Sequence, residues 1–159
     1  AVTHDPRVIP AVQQHFFTKY RGMERWLHGG SMLNMEEGLR PFYQILERKE
    51  CLVVLADAPV TARGAAASPW FLGGHRQLAG GALRLARKTD SDLGAFVCRY
   101  LKPGRYLIKG GPIMPASDPQ AFDLLYRYLS DEIEAAPGRW CAADLLPLMP
   151  LVDSGEQCP

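Results

Sequence analysis

The sequence has no CxxC pair, no apolar run approaching a membrane span, and no Gly-Lys-Ser/Thr after any of its glycines. Its four cysteines, Cys51, Cys98, Cys141 and Cys158, lie far apart, which argues against both a zinc site and a disulfide scaffold. Cys51 and Cys98 fall in apolar runs, the usual setting of reduced, buried thiols. No secretory leader is evident, so a cytosolic chain is expected. Without a Walker lysine there is no P-loop nucleotide site. Gly29-Gly30-Ser31-Met32-Leu33 opens like a nucleophile elbow but lacks its closing glycine, so a serine hydrolase built on Ser31 ranks third among the readings considered. His15 and His28 have no partners at ligand spacing, and no metal is expected. No internal repeat is present.

What the chain does contain is an ordinary globular composition. Its 159 residues, 47% hydrophobic and 22% charged, suit one domain over 1–159 with a proper core. The net charge of +1 conceals an asymmetry. Residues 75–109 hold eight Lys/Arg against two acids, whereas residues 110–159 hold two against eight. Two readings fit: unevenly solvated faces, or a basic surface for a phosphate-bearing partner or an anionic membrane surface.

The stretch from Cys51 to Ala86 organises the rest. Its apolar run, Cys51–Ala56, ends at Asp57 and has the pattern of a strand covered on both faces. A small-residue loop follows, then Trp70-Phe71, the Gly73-Gly74 turn, and a helix pattern with Leu78, Ala82, Leu85 and Ala86 on one face. Strand, loop and glycine-led helix make half of a βαβ unit, and Asp57 would sit at the strand's ligand-binding end. Leu52–Ala56 and Leu93–Val97 are predicted to be neighbouring parallel strands joined by a right-handed crossover. His75 and Arg76, at the predicted helix start after Gly73 and Gly74, can hold a phosphate, or can be exposed polar residues of a tight connection. Arg76, Arg84 and Arg87 are predicted to share one side of that helix.

Around this stretch the chain reads as helices and a hairpin. Pro6–Tyr20 has a helical stripe, and Asn34 with Glu37 resembles a helix start whose later part carries Leu39, Phe42, Tyr43 and Leu46. Pro41 should kink that helix or move its start later. Leu93–Leu101, the Pro103-Gly104 turn and Arg105–Lys109 form a hairpin, ended by Gly110-Gly111-Pro112. Ser117 and Gln120 can form a capping box for a helix burying Phe122, Leu125, Tyr126, Leu129 and Ile133, stopped by Pro137-Gly138. The proline-interrupted tail from Trp140 should pack irregularly.

The order of these pieces resembles the later portion of the bacterial lipid A biosynthesis acyltransferases, of the wider lysophospholipid acyltransferase-like family. The resemblance runs from about Arg21 to Trp140. It is carried by Ser31-Met32-Leu33, Leu46-Glu47-Arg48-Lys49-Glu50 and the run closing on Asp57. Further on come Trp70-Phe71-Leu72-Gly73-Gly74, Ala79-Gly80, Leu85-Ala86-Arg87, Gly104-Arg105-Tyr106, Ile133-Glu134 and Pro137-Gly138-Arg139-Trp140. It implies an α/β fold with a mixed, mostly parallel sheet and helices on both faces. It also implies transfer of an acyl chain from acyl carrier protein or acyl-CoA to a lipid or glycolipid hydroxyl, at the cytoplasmic face of the inner membrane. No bound cofactor and no nucleic acid are implied.

The sequence departs from that family's pattern in three places. The family's catalytic histidine is followed, after four residues, by an acid. Five positions after His4, His15, His28 and His75 stand Ile9, Tyr20, Leu33 and Gly80. The expectation is therefore that the catalytic strand and helix precede Ala1, with His28 and Asp57 the first alternative pair for proton transfer. Met35 stands where a basic residue is expected, and Trp140-Cys141-Ala142-Ala143-Asp144 replaces a Trp-x-x-x-basic ending. Gly73, Gly74, His75 and Arg76 are the expected substrate contacts. The alternative from another class is a non-catalytic lipid- or phosphate-binding module.

Overall fold

A computed structural model describes Gly30, Leu33, residues 38–60 and residues 64–152. The predicted helix over Pro6–Tyr20, the Asn34–Glu37 cap, His28, Ser31 and Met35 lie outside the described residues. The backbone divides into two compact units, Ala1–Glu50 and Cys51–Pro159.

In the first unit, helix α1 spans Arg40–Glu47 with Pro41 in its first turn. A proline there lacks only an N–H that would have no partner, so it sets the helix start instead of kinking the helix. Phe42 is the buried residue of its apolar stripe. The helix ends at Lys49, whose φ of 62° is left-handed. Glu50 N–H donates to the Ile45 carbonyl and Lys49 N–H to that of Leu46, the two bonds of a Schellman ending.

The second unit contains strands β1 (Ala66–Ala67) and β2 (Leu78–Ala79), helix α2 (Gly81–Lys88), strands β3 (Asp92–Lys102) and β4 (Arg105–Pro115), and helix α3 (Ala121–Glu134). Two 3-10 turns, Pro137–Arg139 and Ala143–Leu148, follow. Among the described residues both sheets have two strands and both are antiparallel, β1 with β2 and β3 with β4. The architecture mixes helix and strand, and the expected mostly parallel sheet is corrected here. Leu93–Val97 pairs with β4, and Leu52–Ala56 is not a strand. An apolar run satisfies one requirement of a strand, but it also needs a hydrogen-bonding edge beside it. Here Leu55 is 83% exposed, and the segment is anchored at its end. Tyr126 Oη donates to the Ala56 carbonyl (2.6 Å), and Ala79 N–H to that of Ala58 (3.0 Å). Cys51 and Cys98 are exposed, not buried: one lies on this unpaired run, the other on the outer face of the hairpin.

The hairpin matches expectation at its turn and outruns it at its end. Gly104, with φ 72°, supplies the left-handed turn residue after Pro103. Gly110-Gly111-Pro112 does not stop β4, which continues to Pro115. Gly94 pairs with Ile113 and Phe96 with Gly110, so Gly111 and Pro112 together face Ala95. That bulge absorbs the proline, and among the described residues the other edge of β4 is unpaired, where a missing donor costs nothing.

Helix α3 buries Phe122, Leu125 and Tyr126 as its stripe requires, with Leu129 and Ile133 packed against the core. The expected capping box does not form: Asp118 Oδ1 accepts from Gln120 N–H (2.8 Å) in place of a Ser117–Gln120 exchange. The core cluster joins Phe71, Leu78, Phe122, Tyr126 and Met149. Phe71 meets Tyr126 and Trp140 edge-on at 5.6 and 5.9 Å between centroids, which fixes the ring orientations as well as the buried area. Burial, and secondarily the Asp57 charge, pushes the Tyr126 phenol above its ordinary pKa. Tyr126 therefore stays a neutral donor to Ala56.

Candidate functional site

The predicted substrate turn is a closed loop tied to the core. Leu72 (φ 46°) and Gly73 (φ 88°) reverse the chain so that Phe71 N–H reaches the Gly74 carbonyl at 2.7 Å. Gly74 lies against the last described segment, where an added Cβ would fall 2.7 Å from Leu151 Cδ2. His75 is exposed and its Nδ1 lies 2.9 Å from the Ser68 carbonyl. A carbonyl only accepts, so Nδ1 carries a proton in this contact. The ring stands edge-on to Trp70 at 5.7 Å. Trp70 is itself held by Asp123, whose Oδ1 accepts its backbone N–H at 2.7 Å, and by the Arg127 guanidinium over its ring.

Arg76 points inward. Its Nε donates toward the Phe71 and Leu72 carbonyls, one terminal nitrogen to that of Leu72, and the other to that of Met149 at 2.9 Å. The guanidinium thus bolts the turn to the C-terminal segment. Four residues separate Arg76 from the following helix, because α2 begins at Gly81 and not at Gly73. The predicted shared face of Arg76, Arg84 and Arg87 is corrected accordingly: only the last two are on the helix. Leu78 is buried, but from β2.

Asp57 is half-buried, and its Oδ2 accepts from Trp140 Nε1 at 2.8 Å. This orients the indole that packs on Phe71. His28 lies outside the described residues, so the pair His28–Asp57 has no geometry here.

A second feature has more open chemistry. Ala65, Ala66, Ala67, Gly80 and Leu83 floor a depression of about 360 Å³, and Arg84, Arg87 and Lys88 rim it. Gly80 makes the floor: a Cβ there would lie 3.0 Å from Ala67 Cβ and 3.1 Å from the Ala66 backbone. Gly80 N–H donates to Ala65 and its carbonyl accepts from Arg84 N–H, so β1 and the start of α2 close on each other without a side chain between them. Helix α2 has no acid, and Leu85 and Ala86 bury its other side. Arg87 Nε is held by the Ala116 carbonyl (3.0 Å). Arg84 is exposed, and its guanidinium makes no hydrogen bond or ion pair among the described residues. An apolar floor with a cationic rim suits an amphipathic anion, its chain on the alanines and its head on the guanidinium groups.

Sequence reasoning singled out Arg84 and Arg87 but missed Lys88, Gly80 and the alanine floor. The i, i+3, i+4 spacing of Arg84, Arg87 and Lys88 facing a run of three alanines was the available signal. Among the described residues no group of three His, Cys, Asp or Glu is placed to hold a metal, and no helix is long and apolar enough to cross a membrane.

No curated protein matches the chain. Residues 7–142 do match a family model, a span reaching beyond the Arg21–Trp140 resemblance at both ends. With most of its length matched, and with the glycine turn, α2 and the hairpin all inside that span, the chain belongs to the bacterial lipid A biosynthesis acyltransferase family.

Proposed function

We propose that this chain takes part in O-acyl transfer from acyl carrier protein or acyl-CoA to a lipid or glycolipid hydroxyl, as part of a longer protein working at the cytoplasmic face of the inner membrane. The family match over residues 7–142 carries the reading. In such a transfer the acceptor oxygen attacks the thioester carbonyl carbon and the new C–O bond forms as the C–S bond breaks. The hydroxyl proton passes through a base to the departing thiolate. The α2 depression supports the reading, because donor and acceptor classes both join an apolar chain to a phosphate. In this scheme Arg84 and Arg87 take the phosphate and Leu83 with the alanine floor takes part of the chain. The Gly73–Arg76 turn contributes through His75 and the Gly73 backbone, while Arg76 positions the turn.

His75 is the one described histidine, and no carboxylate among the described residues holds it: its Nδ1 is committed to the Ser68 carbonyl. The proposal therefore assigns proton removal to a base outside the described residues. The same observation favours the second reading, a non-catalytic lipid- or phosphate-binding module. The test is to assay thiol release and acyl-lipid formation by this chain and by an upstream-extended protein with the same thioester donor. Transfer by the extended protein alone, abolished on replacing an upstream histidine, is the expected result. Lipid binding without turnover by both would establish the module, and robust transfer by the 159-residue chain alone would place the base on one of its own histidines.

A further inference from the structure

The distal part of the β3–β4 hairpin has an unusual surface. Every residue from Tyr100 to Ile108 is exposed, so this end extends past the helix that covers its base. Tyr100 (48%), Leu101 (53%), Tyr106 (64%) and Ile108 (69%) present their apolar side chains there. Tyr100 and Tyr106 face each other across the strands with centroids 5.7 Å apart. Lys102 and Arg105 flank the Pro103-Gly104 turn, and neither has an ion pair among the described residues.

The charge pattern is one-sided. From Leu93 to Ser117 there are four cations and no acid. Arg99 and Lys109, nearer the base, both bind Glu132 of α3, whose side chain is only 8% exposed. That pair of contacts holds Glu132 below the ordinary carboxylate range, with the Lys109 hydrogen bond the main cause. The base of the hairpin is thus neutralised internally, while among the described residues its tip keeps two unpaired cations beside aromatic and aliphatic side chains.

From this we infer that the hairpin tip is a docking element for an anionic lipid surface, with Tyr100, Leu101, Tyr106 and Ile108 entering the headgroup region and Lys102 and Arg105 meeting lipid phosphates. Tyrosines favour that interface because the ring is apolar and the hydroxyl wet, and Lys and Arg stems extend so that their charges reach the phosphates. Each cation near an anionic leaflet adds to binding, and the attraction weakens with salt. A second copy of the chain fits the same tip poorly, since two such tips bring only like charges together. The inference rests on the acyl-transfer reading only for its lipid setting, and docking is read without any donor.

The whole 159-residue chain is sedimented with vesicles of phosphatidylethanolamine and phosphatidylglycerol, and with neutral phosphatidylcholine vesicles. Binding to the anionic vesicles is expected, falling as salt rises. Lys102→Gln with Arg105→Gln should weaken it by roughly tenfold or more. Tyr106→Ser with Ile108→Ser should weaken it by a similar factor and leave the residual binding salt-sensitive. Lys102→Arg should bind as the parent does, and unchanged thermal melts show that the variants are folded. Equal binding by the parent and both double variants, or no preference for anionic vesicles, overturns the inference. So does a concentration-dependent dimer that the serine pair abolishes, which would assign the face to a second copy. Loss of transfer with docking intact would count against the proposed activity alone.

Discussion

Arg76 and the pair Arg84–Arg87 lie within a dozen residues of each other, yet they do opposite things. Arg76 spends its donors on the Phe71, Leu72 and Met149 carbonyls, so its charge is part of the scaffold. The Arg84 guanidinium has no partner among the described residues, and that of Arg87 gives only Nε to a carbonyl. A guanidinium is a five-donor fork, and what it does depends on how many donors the fold has already used. Counting basic residues along the chain does not distinguish the two cases. Following each donor to its acceptor does.

Substitutions at Arg76, Arg84 and Arg87 test that contrast. The largest effect belongs to Arg76→Leu, which leaves part-buried carbonyls of Leu72 and Met149 without donors. A loss of about 3 kcal/mol is expected, read as the shift in a urea midpoint. Arg76→Lys should recover only part of it, because a point charge cannot span the same carbonyls. A melt unchanged by Arg76→Leu would show that the bolt is dispensable.

Arg84→Glu with Arg87→Glu should act the other way round. Stability should fall by no more than about 1 kcal/mol, mostly from the Ala116 bond. Acyl-CoA binding, followed by calorimetry at low salt, should weaken roughly tenfold. Equal binding by parent and variant would mean that these cations only solvate the helix.

The smallest effect concerns Glu132. Its pKa lies below the ordinary 4.5 because of the Lys109 hydrogen bond first and the Arg99 and Lys109 charges after it. A depressed carboxylate adds stability that is present above its unfolded pKa and lost as pH falls through the folded one. Acidification below about pH 4.5 should therefore destabilise the parent more than Glu132→Gln. Parallel stability curves for the two proteins over that window would remove Glu132 from the account.

Legibility in the sequence followed locality. The hairpin turn was readable because Pro103-Gly104 fixes it within four residues, and α3 because Phe122, Leu125 and Tyr126 repeat along a single helix. Leu52–Ala56 misled because an apolar run does not say whether an edge lies beside it. The β4 extension was hidden because a bulge across from Ala95, not the Gly-Gly-Pro sequence itself, decides whether pairing continues. Asp57 and Arg76 were readable as polar residues at a turn. Their partners, Trp140 and Met149, lie 83 and 73 residues away, beyond any window of spacing. Arg84 and Arg87 were legible because a helix face is a local property.

The C-terminal segment closes what the glycine turn begins, and this has a consequence for the order in which the protein forms. Met149 fills the same cluster as Phe71 and Leu78, and Arg76 reaches its carbonyl. Gln77 N–H donates to Pro150, and Val152 N–H to His75. A chain emerging from the ribosome makes α2, the hairpin and α3 before any of these partners exists. Until then Phe71 and Leu78 wait without their cover, through the synthesis of roughly seventy further residues at 5–20 per second. Such late, long-range closure is slow, and it leaves apolar surface open to mispairing in the interval. For this protein the making of residues 149–152 sets when the middle of the chain becomes safe from aggregation.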